Sequence, residues 1–506
     1  MPGTEIQWRH GEALPTDRPH TLSDWLDALC REHRHRPVLV CDGRAWTWDA
    51  LRQAAASLSG QLANDLGIGD RLAIVSPNGA EHLICELAAW RLGAIAAPIF
   101  TGFPPARLEA MLALIAPRVA MIADPDHRHL VPAGTKVIPP ELALASGPPG
   151  PERPVTTDTP CLIQCTSGST GEPRGVVLTH GNLASQQAAF AMLWPEVGPG
   201  DRCAAYLPWH HSFGGLAERL WILGRGATLT VVPGGGRDRD RFLATLRAVR
   251  PTVYLSVPKL HRTAIEADAL DRSCLRWVFT AGATLGDDLA DWYERRGISV
   301  AEGWGLTETS PSATITRPGS ARRTGVVGQP IPGVSVGVAD DGRIHVRGPN
   351  VMLGYFRRDD PLPRDADGNR TIDSGDLGAW TDNGLRLIGR SDQVLKMANG
   401  EKVHAGCIEA RLAAQPGIAH AVVCRHGDDL AAILLPQPQA TAADLDHAIG
   451  SANAQAEAPY ERIVSVWRWD QCPDLTNGLL TASHKLARSR LIERFNAGAA
   501  DFQRIG

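Results

Sequence analysis

The sequence predicts an α/β fold with a large N-terminal domain of parallel βαβ subdomains, a small β subdomain and a smaller α+β domain at the C-terminus. Three observations support this prediction. Short apolar runs alternate with amphipathic helical segments up to about residue 280, which is typical of βαβ units in a parallel sheet. From Gly325 onward turns become frequent and strands short, and residues 390–506 then carry a helix and strand pattern of their own.

The N-terminal pattern repeats a strand–helix–strand unit. Residues 69–75 are predicted as a buried strand, residues 81–91 as a helix ended by Gly93, and residues 94–99 as the next strand. Strands joined through one helix at this spacing lie parallel in one sheet. The alternation continues in predicted helices at 21–31, 51–66, 106–114, 182–193, 216–223 and 241–249 and in predicted strands at 119–123, 160–164, 176–178, 202–207, 227–232, 252–256 and 275–280.

The second half of the chain has a different pattern. Short strands that look antiparallel are predicted at 335–338, 343–346 and 386–388, which fits a small β subdomain. After a hinge-like segment at 389–392, the pattern predicts a helix at 408–413 and strands at 419–424 and 431–435. We therefore expect an N-terminal domain of residues 1–389 and a C-terminal domain of residues 390–506.

The composition excludes several classes of protein. The 506 residues carry a net charge of −4 and a pI of about 6.5, so no basic surface indicates nucleic-acid binding. The longest apolar stretch, residues 83–100, is interrupted by Glu86 and Arg91, and no integral membrane segment is predicted. The first residues lack the charged and apolar regions of a signal peptide. Ten cysteines without a C-x-x-C pair favour reduced thiols and a cytoplasmic location, with neither a disulfide framework nor a zinc site.

One loop rich in glycine and hydroxyl side chains joins the predicted strands 160–164 and 176–178. Glycines let backbone N–H groups approach a ligand, and a guanidinium adds fixed positive charge, so this composition suits polyphosphate. The spacing is not that of a Walker A loop, because no Gly-Lys-Ser/Thr closes it. A mobile surface turn explains the composition alone equally well. The candidate phosphate-binding residues are Thr166, Ser167, Gly168, Ser169, Thr170, Gly171 and Arg174.

A second candidate motif reads Glu-Gly-Trp-Gly-Leu-Thr-Glu from residue 302 to residue 308. Trp304 offers a flat face for a purine, and stacking on an aromatic ring contributes roughly 1–3 kcal/mol per base. Thr307 adds a hydroxyl, and Glu308 adds a hard oxygen ligand of the kind that Mg²⁺ prefers. Taken alone, the motif is better explained by a solvated turn beside a core tryptophan.

Together the two motifs resemble those of the adenylate-forming superfamily, which contains acyl-CoA synthetases, luciferases and peptide-synthetase adenylation domains. The loop is similar to the family's Thr-Ser-Gly-Ser-Thr-Gly-x-Pro-Lys-Gly segment, with Arg174 at the position of the lysine. The second motif resembles Tyr-Gly-x-Thr-Glu, with Trp304 in place of the tyrosine. The resemblance extends over most of the chain, from about residue 21 to residue 490, with five motifs in the family's order.

The resemblance implies an ATP site with bound Mg²⁺. Glu308 would hold the metal and Thr307 would touch phosphate, while Asp376, in Asp-Ser-Gly-Asp, would accept hydrogen bonds from the ribose hydroxyls beside Arg390. An aspartate in an ordinary β-turn is the alternative for Asp376. The remaining implied nucleotide contacts, in the turn after residue 281 and in the second motif, are Gly282, Ala283, Thr284, Glu302, Gly303, Trp304 and Gly305.

The resemblance also implies the catalytic residues. Only five of the 51 basic residues are lysines, so a lysine is a candidate for chemistry that needs a compact ammonium group. Lys485, in a Leu-Thr-x-x-x-Lys-Leu-x-Arg motif, would bridge the substrate carboxylate and the α-phosphate. Asp392 would be the hinge of a mobile C-terminal domain, and Lys396 would serve the thioester-forming conformation. His211, in Leu-Pro-Trp-His-His, would line the acyl site, with a satisfied core histidine as the alternative.

The implied reaction is ATP-dependent activation of a carboxylic acid to an acyl-adenylate, followed by thioester formation with coenzyme A. The hinge motif, in which Gly406 replaces the family's proline, leans towards a fatty acid as substrate, with an aryl or polycyclic acid as the second choice. A free-standing carrier protein is an alternative acceptor. Two other classes stay open at this point: a nucleotide-binding scaffold without catalysis and a non-enzymatic binder of acyl chains. The sequence leaves the oligomeric state undetermined.

Overall fold

A computed structural model describes residues 5–167, 173–283, 285–317, 322–397, 401–456, 458–474, 477–480 and 486–505, with Ser167 described by its backbone only. The described chain forms helices and strands that alternate along its N-terminal half. The α-helices are α1 (Leu22–His33), α2 (Trp48–Leu62), α3 (Ala80–Arg91), α4 (Pro105–Ile115), α5 (His180–Leu193), α6 (Leu220–Gly224), α7 (Arg239–Val249), α8 (Pro258–Glu266), α9 (Asp287–Glu294), α10 (Ala405–Ala413), α11 (Ala442–Ala454) and α12 (Arg488–Asn496).

The strands up to residue 304 are β1 (Ile6–His10), β2 (Pro37–Cys41), β3 (Arg44–Thr47), β4 (Arg71–Val75), β5 (Ile95–Pro98), β6 (Val119–Ile122), β7 (Lys136–Ile138), β8 (Pro160–Ser167), β9 (Pro173–Thr179), β10 (Arg202–Ala205), β11 (Thr228–Val231), β12 (Val253–Ser256), β13 (Trp277–Ala281) and β14 (Ser299–Trp304). The later strands are β15 (Thr314–Ile315), β16 (Gln329–Pro330), β17 (Ser335–Ala339), β18 (Arg343–Gly348), β19 (Gly354–Tyr355), β20 (Arg370–Thr381), β21 (Gly384–Arg390), β22 (Val394–Lys396), β23 (Lys402–His404), β24 (Ile418–His426), β25 (Asp429–Pro436), β26 (Ser465–Trp469) and β27 (Phe502–Arg504).

Two mixed sheets form the centre of the N-terminal part. One has the strand order β19-β9-β8-β5-β4-β6-β7 and the other the order β12-β13-β14-β15-β16. The predicted strand–helix–strand unit is confirmed, because β4 pairs in parallel with both β5 and β6. Helix α3 crosses between β4 and β5 and is buried along nearly its whole length, as expected for a helix covered by other elements.

The remaining sheets are smaller. Strands β10, β11, β2 and β3 form a third sheet in the N-terminal half. The predicted antiparallel β subdomain is confirmed as the sheet β1-β17-β18-β20-β21. The C-terminal part contains the ribbon β22-β23 and the sheet β24-β25-β26-β27. The predicted fold class therefore matches the observed architecture.

Local sequence explains why several helices begin where they do. Thr21 caps α1 by accepting a hydrogen bond from the Asp24 backbone N–H, and the Asp24 carboxylate accepts one from Thr21 in return. Thr179 and Asn182 cap α5 in the same reciprocal way. Such caps satisfy N–H groups that the first helical turn leaves without partners.

One predicted helix was wrong in detail, and several strands were not predicted. The predicted helix 216–223 is a π-helical segment, Phe213–Arg219, followed by the short helix α6. All seven residues of the π-helical segment are buried; Arg219 pairs with Glu86 on α3, and Gln187 on α5 donates to Leu216 O at 3.4 Å. Strand β1 and the twelve-residue strand β20 were not predicted, since polar residues interrupt their apolar ones. The β2–β3 hairpin was missed although β2 is an unbroken apolar run, Pro-Val-Leu-Val-Cys.

The apolar interior of the described chain divides into separate clusters. Two large clusters are built from residues between Leu22 and Leu385. Two further clusters are built from residues between Met397 and Phe495. None of the helices described in the chain is long and apolar enough to cross a membrane.

The burial of His180 predicts how the stability of the folded chain changes with pH. Burial lowers the pKa of His180 to about 4, and neither ring nitrogen has a hydrogen-bond partner in the described structure. An unfolded histidine titrates near 6.5, so from pH 6.5 down to pH 4 the unfolded chain binds a proton that the folded chain excludes. The contribution of His180 to the free energy of unfolding should therefore fall by roughly 3 kcal/mol between pH 6.5 and pH 4.

We expect His180→Leu to lose less stability than the wild type between pH 6.5 and pH 4. Urea unfolding followed at both pH values measures this difference, with His35→Leu at an exposed position as the matched control. Parallel losses of stability in His180→Leu and in the wild type would show that His180 does not carry this pH dependence.

Candidate active site

The predicted phosphate loop connects two antiparallel strands. Strands β8 and β9 pair from Pro160↔Thr179 to Ser167↔Pro173, with Thr166 opposite Arg174. Gly175 allows a close crossing, because a Cβ there would lie 2.9 Å from Ile163 and 3.1 Å from Phe356. The other loop residues, Gly168, Ser169, Thr170 and Gly171, lie outside the described residues, as does the side chain of Ser167.

Arg174 and Glu308 meet at a residue that the sequence analysis did not single out, Tyr355. The Tyr355 hydroxyl donates a hydrogen bond of 2.8 Å to Glu308 Oε1. The Arg174 guanidinium carbon lies 5.6 Å from the centroid of the Tyr355 ring, within range of a cation–π contact. Burial, followed by the Glu308 charge, raises the pKa of Tyr355 to about 12, and Arg174 offsets part of this rise. The structure thus brings together the candidate phosphate and metal residues.

A second polar cluster surrounds Asp376. Trp304 Nε1 donates to Asp376 Oδ2 at 2.8 Å, and Arg390 Nη1 donates to Asp376 Oδ1 at 3.1 Å. Arg390 Nε also donates to Asp392 at 3.4 Å. Burial raises the pKa of Asp376, and the charge of Arg390 opposes that rise. The candidate purine, ribose and hinge residues are therefore linked by direct hydrogen bonds.

The strand geometry explains how Trp304 reaches this cluster. Strand β14 pairs in parallel with β13, with Gly303 opposite Ala281, so Trp304 ends β14 and Gly282 follows the end of the neighbouring strand β13. Ligands of parallel sheets bind at such carboxyl ends. Gly303 and Gly305 allow close packing, since a Cβ would lie 2.7 Å from Phe279 and 2.1 Å from Pro311 O, respectively.

Glu302 acts on the turn that contains Gly282 and Ala283. Its carboxylate accepts hydrogen bonds from the Leu285 backbone N–H at 3.1 Å and from Arg322 Nε at 2.6 Å. Burial raises the pKa of Glu302, against the opposing charge of Arg322. Both carboxylate oxygens thus have protein partners, which favours a role in holding the turn. Gly282, at φ +80°, and Ala283 are exposed, and Thr284 lies outside the described residues.

The segment that contains His211 is held from two sides. Asn78 Nδ2 donates to Leu207 O at 2.8 Å, and the Trp209 backbone N–H donates to Asn78 Oδ1 at 3.0 Å. The His211 backbone N–H donates to Pro208 O at 3.1 Å. On the other side Thr307 Oγ1 donates to Ser212 Oγ at 3.3 Å. This contact joins Ser212, the residue after His211, to the Thr307–Glu308 motif.

A buried ion pair supports the same segment from beneath. Arg219, at the end of the π-helical segment, pairs with Glu86 on α3, and both side chains are almost fully buried. Arg219 Nε donates to Gly215 O at 3.2 Å, and its guanidinium lies over the Trp209 ring at 4.9 Å. Despite burial, the charge of Arg219 and a hydrogen bond from His82 keep the pKa of Glu86 below its usual value.

The C-terminal candidates are only partly described. Lys396 is exposed and ends β22 opposite Lys402 on β23. Lys485 lies outside the described residues, between Leu480 and Leu486, which form an antiparallel bridge. The end of the same motif is anchored, because Arg488 donates to Glu409 at 2.7 Å.

The donor set suits Mg²⁺ bound together with nucleotide phosphates. The described residues contain no group of three or more His, Cys, Asp and Glu side chains that could hold a metal ion. Glu308 keeps one oxygen, Oε2, beyond the one bonded to Tyr355, and buried Arg174 Nε has no hydrogen-bond partner within the described structure. Mg²⁺ is typically held by one or two carboxylates with phosphate oxygens completing its shell. The side chains present fit that arrangement.

Sequence reasoning missed four residues that shape the site: Tyr355, Asn78, Arg322 and Arg219. Tyr355 follows the apolar run Val351-Met-Leu-Gly, and a lone polar aromatic after such a run is the one signal that could have drawn attention to it. The others act through partners that lie 20 or more residues away in sequence. No local pattern reveals such contacts.

Comparison with known proteins identifies the family. The family model described as AMP-binding enzyme matches residues 26–356. The chain belongs to this family of AMP-binding enzymes, within the adenylate-forming superfamily that its motifs resemble. It is therefore an enzyme of that class, and the predicted recognition is confirmed.

Relatives and solved structures agree with this assignment. A feruloyl-CoA synthase from Amycolatopsis sp is 29% identical over 79% of this chain and 84% of the relative. A long-chain-fatty-acid–CoA ligase, FadD15, from Mycobacterium bovis is 26% identical over 95% of this chain and 92% of the relative. The solved structure of O-succinylbenzoate coenzyme A synthetase from Bacillus subtilis, in complex with AMP, has a TM-score of 0.80 at 22% identity and covers 92% of this chain and 97% of that chain.

Proposed function

We propose that the protein is an acid–thiol ligase that activates a carboxylic acid with ATP and transfers the acyl group to coenzyme A. In the first step a carboxylate oxygen attacks the α-phosphorus of ATP, the bond to the β-phosphate oxygen breaks, and pyrophosphate leaves. In the second step the thiol sulfur attacks the acyl carbon, its proton is lost, and AMP leaves. The observation that carries this proposal is the meeting of Arg174 and Glu308 at Tyr355 in a member of the AMP-binding family.

The described side chains supply distinct functions in the first step. Arg174 places a fixed positive charge beside the phosphate loop, and Thr307 offers a hydroxyl to phosphate. Asp376 and Arg390 would bind the ribose, with Trp304 beside the purine. These groups hold the α-phosphorus in line with the attacking oxygen, and such positioning is a major source of rate enhancement. Lys485 would neutralise charge between the two approaching anions.

Glu308 is the proposed ligand of Mg²⁺. The ion supplies positive charge that stabilises phosphate oxygens when it is bound. Glu308 contributes one carboxylate oxygen, while Tyr355 holds the other. Thr307 directly precedes Glu308 in the chain, so its hydroxyl lies in the same turn as the proposed metal ligand.

The second step requires a change of conformation in this proposal. We assign residues 1–389 to the domain that binds ATP and the acid, and residues 390–506 to a mobile lid. Its rotation about Asp392 would withdraw Lys485 and bring the face that carries Lys396 to the acyl-adenylate. The separate apolar clusters before Leu385 and after Met397 support this division.

The proposed substrate is a hydrophobic carboxylic acid. The relatives act, by their names, on a long-chain fatty acid and on ferulate, so both aliphatic and aryl acids are candidates. The apolar and aromatic surroundings of the His211 segment, including Trp209, Phe213 and Phe279, support a bulky apolar group. A cytoplasmic location is proposed from the ten cysteines, all of which are free.

Pyrophosphate release with ATP and Mg²⁺ tests the proposal across a panel of fatty and aromatic acids, with and without coenzyme A. We expect one class of acid to drive turnover that depends on coenzyme A. Accumulation of acyl-AMP without any effect of coenzyme A would instead indicate another acceptor, such as a carrier protein. Absence of pyrophosphate with every acid, in a protein that binds ATP, would contradict the catalytic function.

A further inference from the structure

The segment that carries Tyr355 is tied to both halves of the candidate phosphate site. On one side the Met352 N–H donates to Glu308 O at 2.9 Å. On the other side Leu353 N–H donates to Val177 O at 2.9 Å and Phe356 N–H donates to Gly175 O at 2.7 Å, with Tyr355 opposite Val176 on β9. The backbone of Tyr355 is therefore fixed relative to Glu308 and to the strand that carries Arg174.

The Tyr355 side chain, like its backbone, connects Glu308 to the strand that carries Arg174. Its hydroxyl donates to Glu308 Oε1 at 2.8 Å, and its ring lies under the guanidinium of Arg174 at 5.6 Å. A hydrogen bond to one carboxylate oxygen fixes the rotation of the whole carboxylate plane. It also uses one acceptor position of Oε1, whereas no hydrogen bond to Oε2 is found among the described residues.

We infer that Tyr355 is a positioning residue that holds Glu308 for the divalent cation and couples it to the phosphate-loop cation Arg174. This inference rests on the proposed function of Glu308. Residues that hydrogen-bond metal ligands typically change metal affinity by about 10- to 100-fold when replaced. The ring and the hydroxyl have separable tasks, because the ring contacts Arg174 and the hydroxyl contacts Glu308.

Because the ring and the hydroxyl contact different residues, two variants of Tyr355 should differ in how they bind the cation and the nucleotide. Tyr355→Phe keeps the ring and removes the hydroxyl, so it should weaken cation binding about tenfold while leaving metal-free nucleotide binding within about twofold. Tyr355→Leu removes both groups, so it should also weaken metal-free nucleotide binding through the loss of ring support for Arg174.

Cation binding is measured directly with Mn²⁺ as a paramagnetic probe. Electron paramagnetic resonance of free Mn²⁺ gives its affinity in the presence of a saturating non-hydrolysable ATP analogue, and titration of the analogue in EDTA gives the metal-free affinity. Tyr460→Phe removes a hydroxyl outside the site and is the matched control, expected to bind Mn²⁺ as the wild type does.

A double-substitution cycle with Glu308→Gln tests whether Tyr355 acts through Glu308. The Tyr355→Phe change should have no further effect on Mn²⁺ affinity once the carboxylate is gone. Wild-type Mn²⁺ affinity in Tyr355→Phe, with or without a lowered melting temperature, would overturn the inference and leave a structural role for Tyr355. A wild-type protein that binds no Mn²⁺ with nucleotide and releases no pyrophosphate would overturn both the inference and the proposed function.

Discussion

Replacing Lys485 with alanine is expected to lower the rate of acyl-adenylate formation about a thousandfold, the upper range for removing one preorganised electrostatic group from a transition state. In the proposed reaction two anions, the substrate carboxylate and the α-phosphate, must approach each other in this step, and the Lys485 ammonium group would offset their repulsion. Single-turnover pyrophosphate release with the best acid of the panel measures the effect.

The control for this prediction is the same substitution at Lys396, the lysine proposed to serve the thioester-forming step. Lys396→Ala should leave pyrophosphate release in a single turnover nearly unchanged and should slow thioester formation from a supplied acyl-adenylate. Lys485→Ala should show the reverse pattern, with thioester formation retained. Equal losses in both half-reactions for both variants would contradict the assignment of one lysine to each step.

The second large effect concerns stability. Glu86→Ala is expected to lower the free energy of unfolding by about 3–5 kcal/mol, because it leaves the buried guanidinium of Arg219 without its charge partner. The same variant should raise the KM for the acid, since Arg219 supports Gly215 and Trp209 beneath the His211 segment. Differential scanning calorimetry measures the loss of stability. The rate of the reaction at increasing concentrations of the carboxylic acid substrate measures the KM.

Replacing both partners separates the loss of the ion pair from the cost of leaving one buried charge unpaired. Glu86→Leu combined with Arg219→Met removes the pair and leaves no buried charge, so it should recover most of the lost stability. If the double variant were as unstable as Glu86→Ala, the shape of the two side chains, and not their charge, would be what the fold requires.

The parts of the fold that were predictable from sequence are those with strong local signals. The β4–α3–β5 unit was predicted because an apolar strand, a helix and a second apolar strand follow one another between turns. The phosphate loop was recognised from its glycines and hydroxyls, and the structure shows it as the connection of an antiparallel hairpin. That pairing could not be predicted, since a buried antiparallel strand and a buried parallel strand have the same composition.

The polar contacts of the site lay mostly beyond sequence reasoning. Trp304 was predicted as a stacking surface, but its indole N–H also donates to Asp376 across 72 positions of sequence. Glu302 was predicted as a nucleotide contact, whereas its carboxylate is bonded to Arg322 and to the turn at Leu285. Such contacts depend on which strand ends come together, and that is decided by tertiary packing.

The pairing of β20 with β21 has a consequence for how nucleotide occupancy and hinge motion affect each other. Asp376 and Arg390 are register partners on these strands, and Arg390 also reaches Asp392. In the proposed roles, a ribose bound at Asp376 changes the bonds that Arg390 can make to the hinge. Linkage is reciprocal, so a cross-link or substitution that fixes the hinge must shift nucleotide affinity by the same free energy. In this proposal the orientation of the lid would therefore help to set how tightly AMP is retained or released.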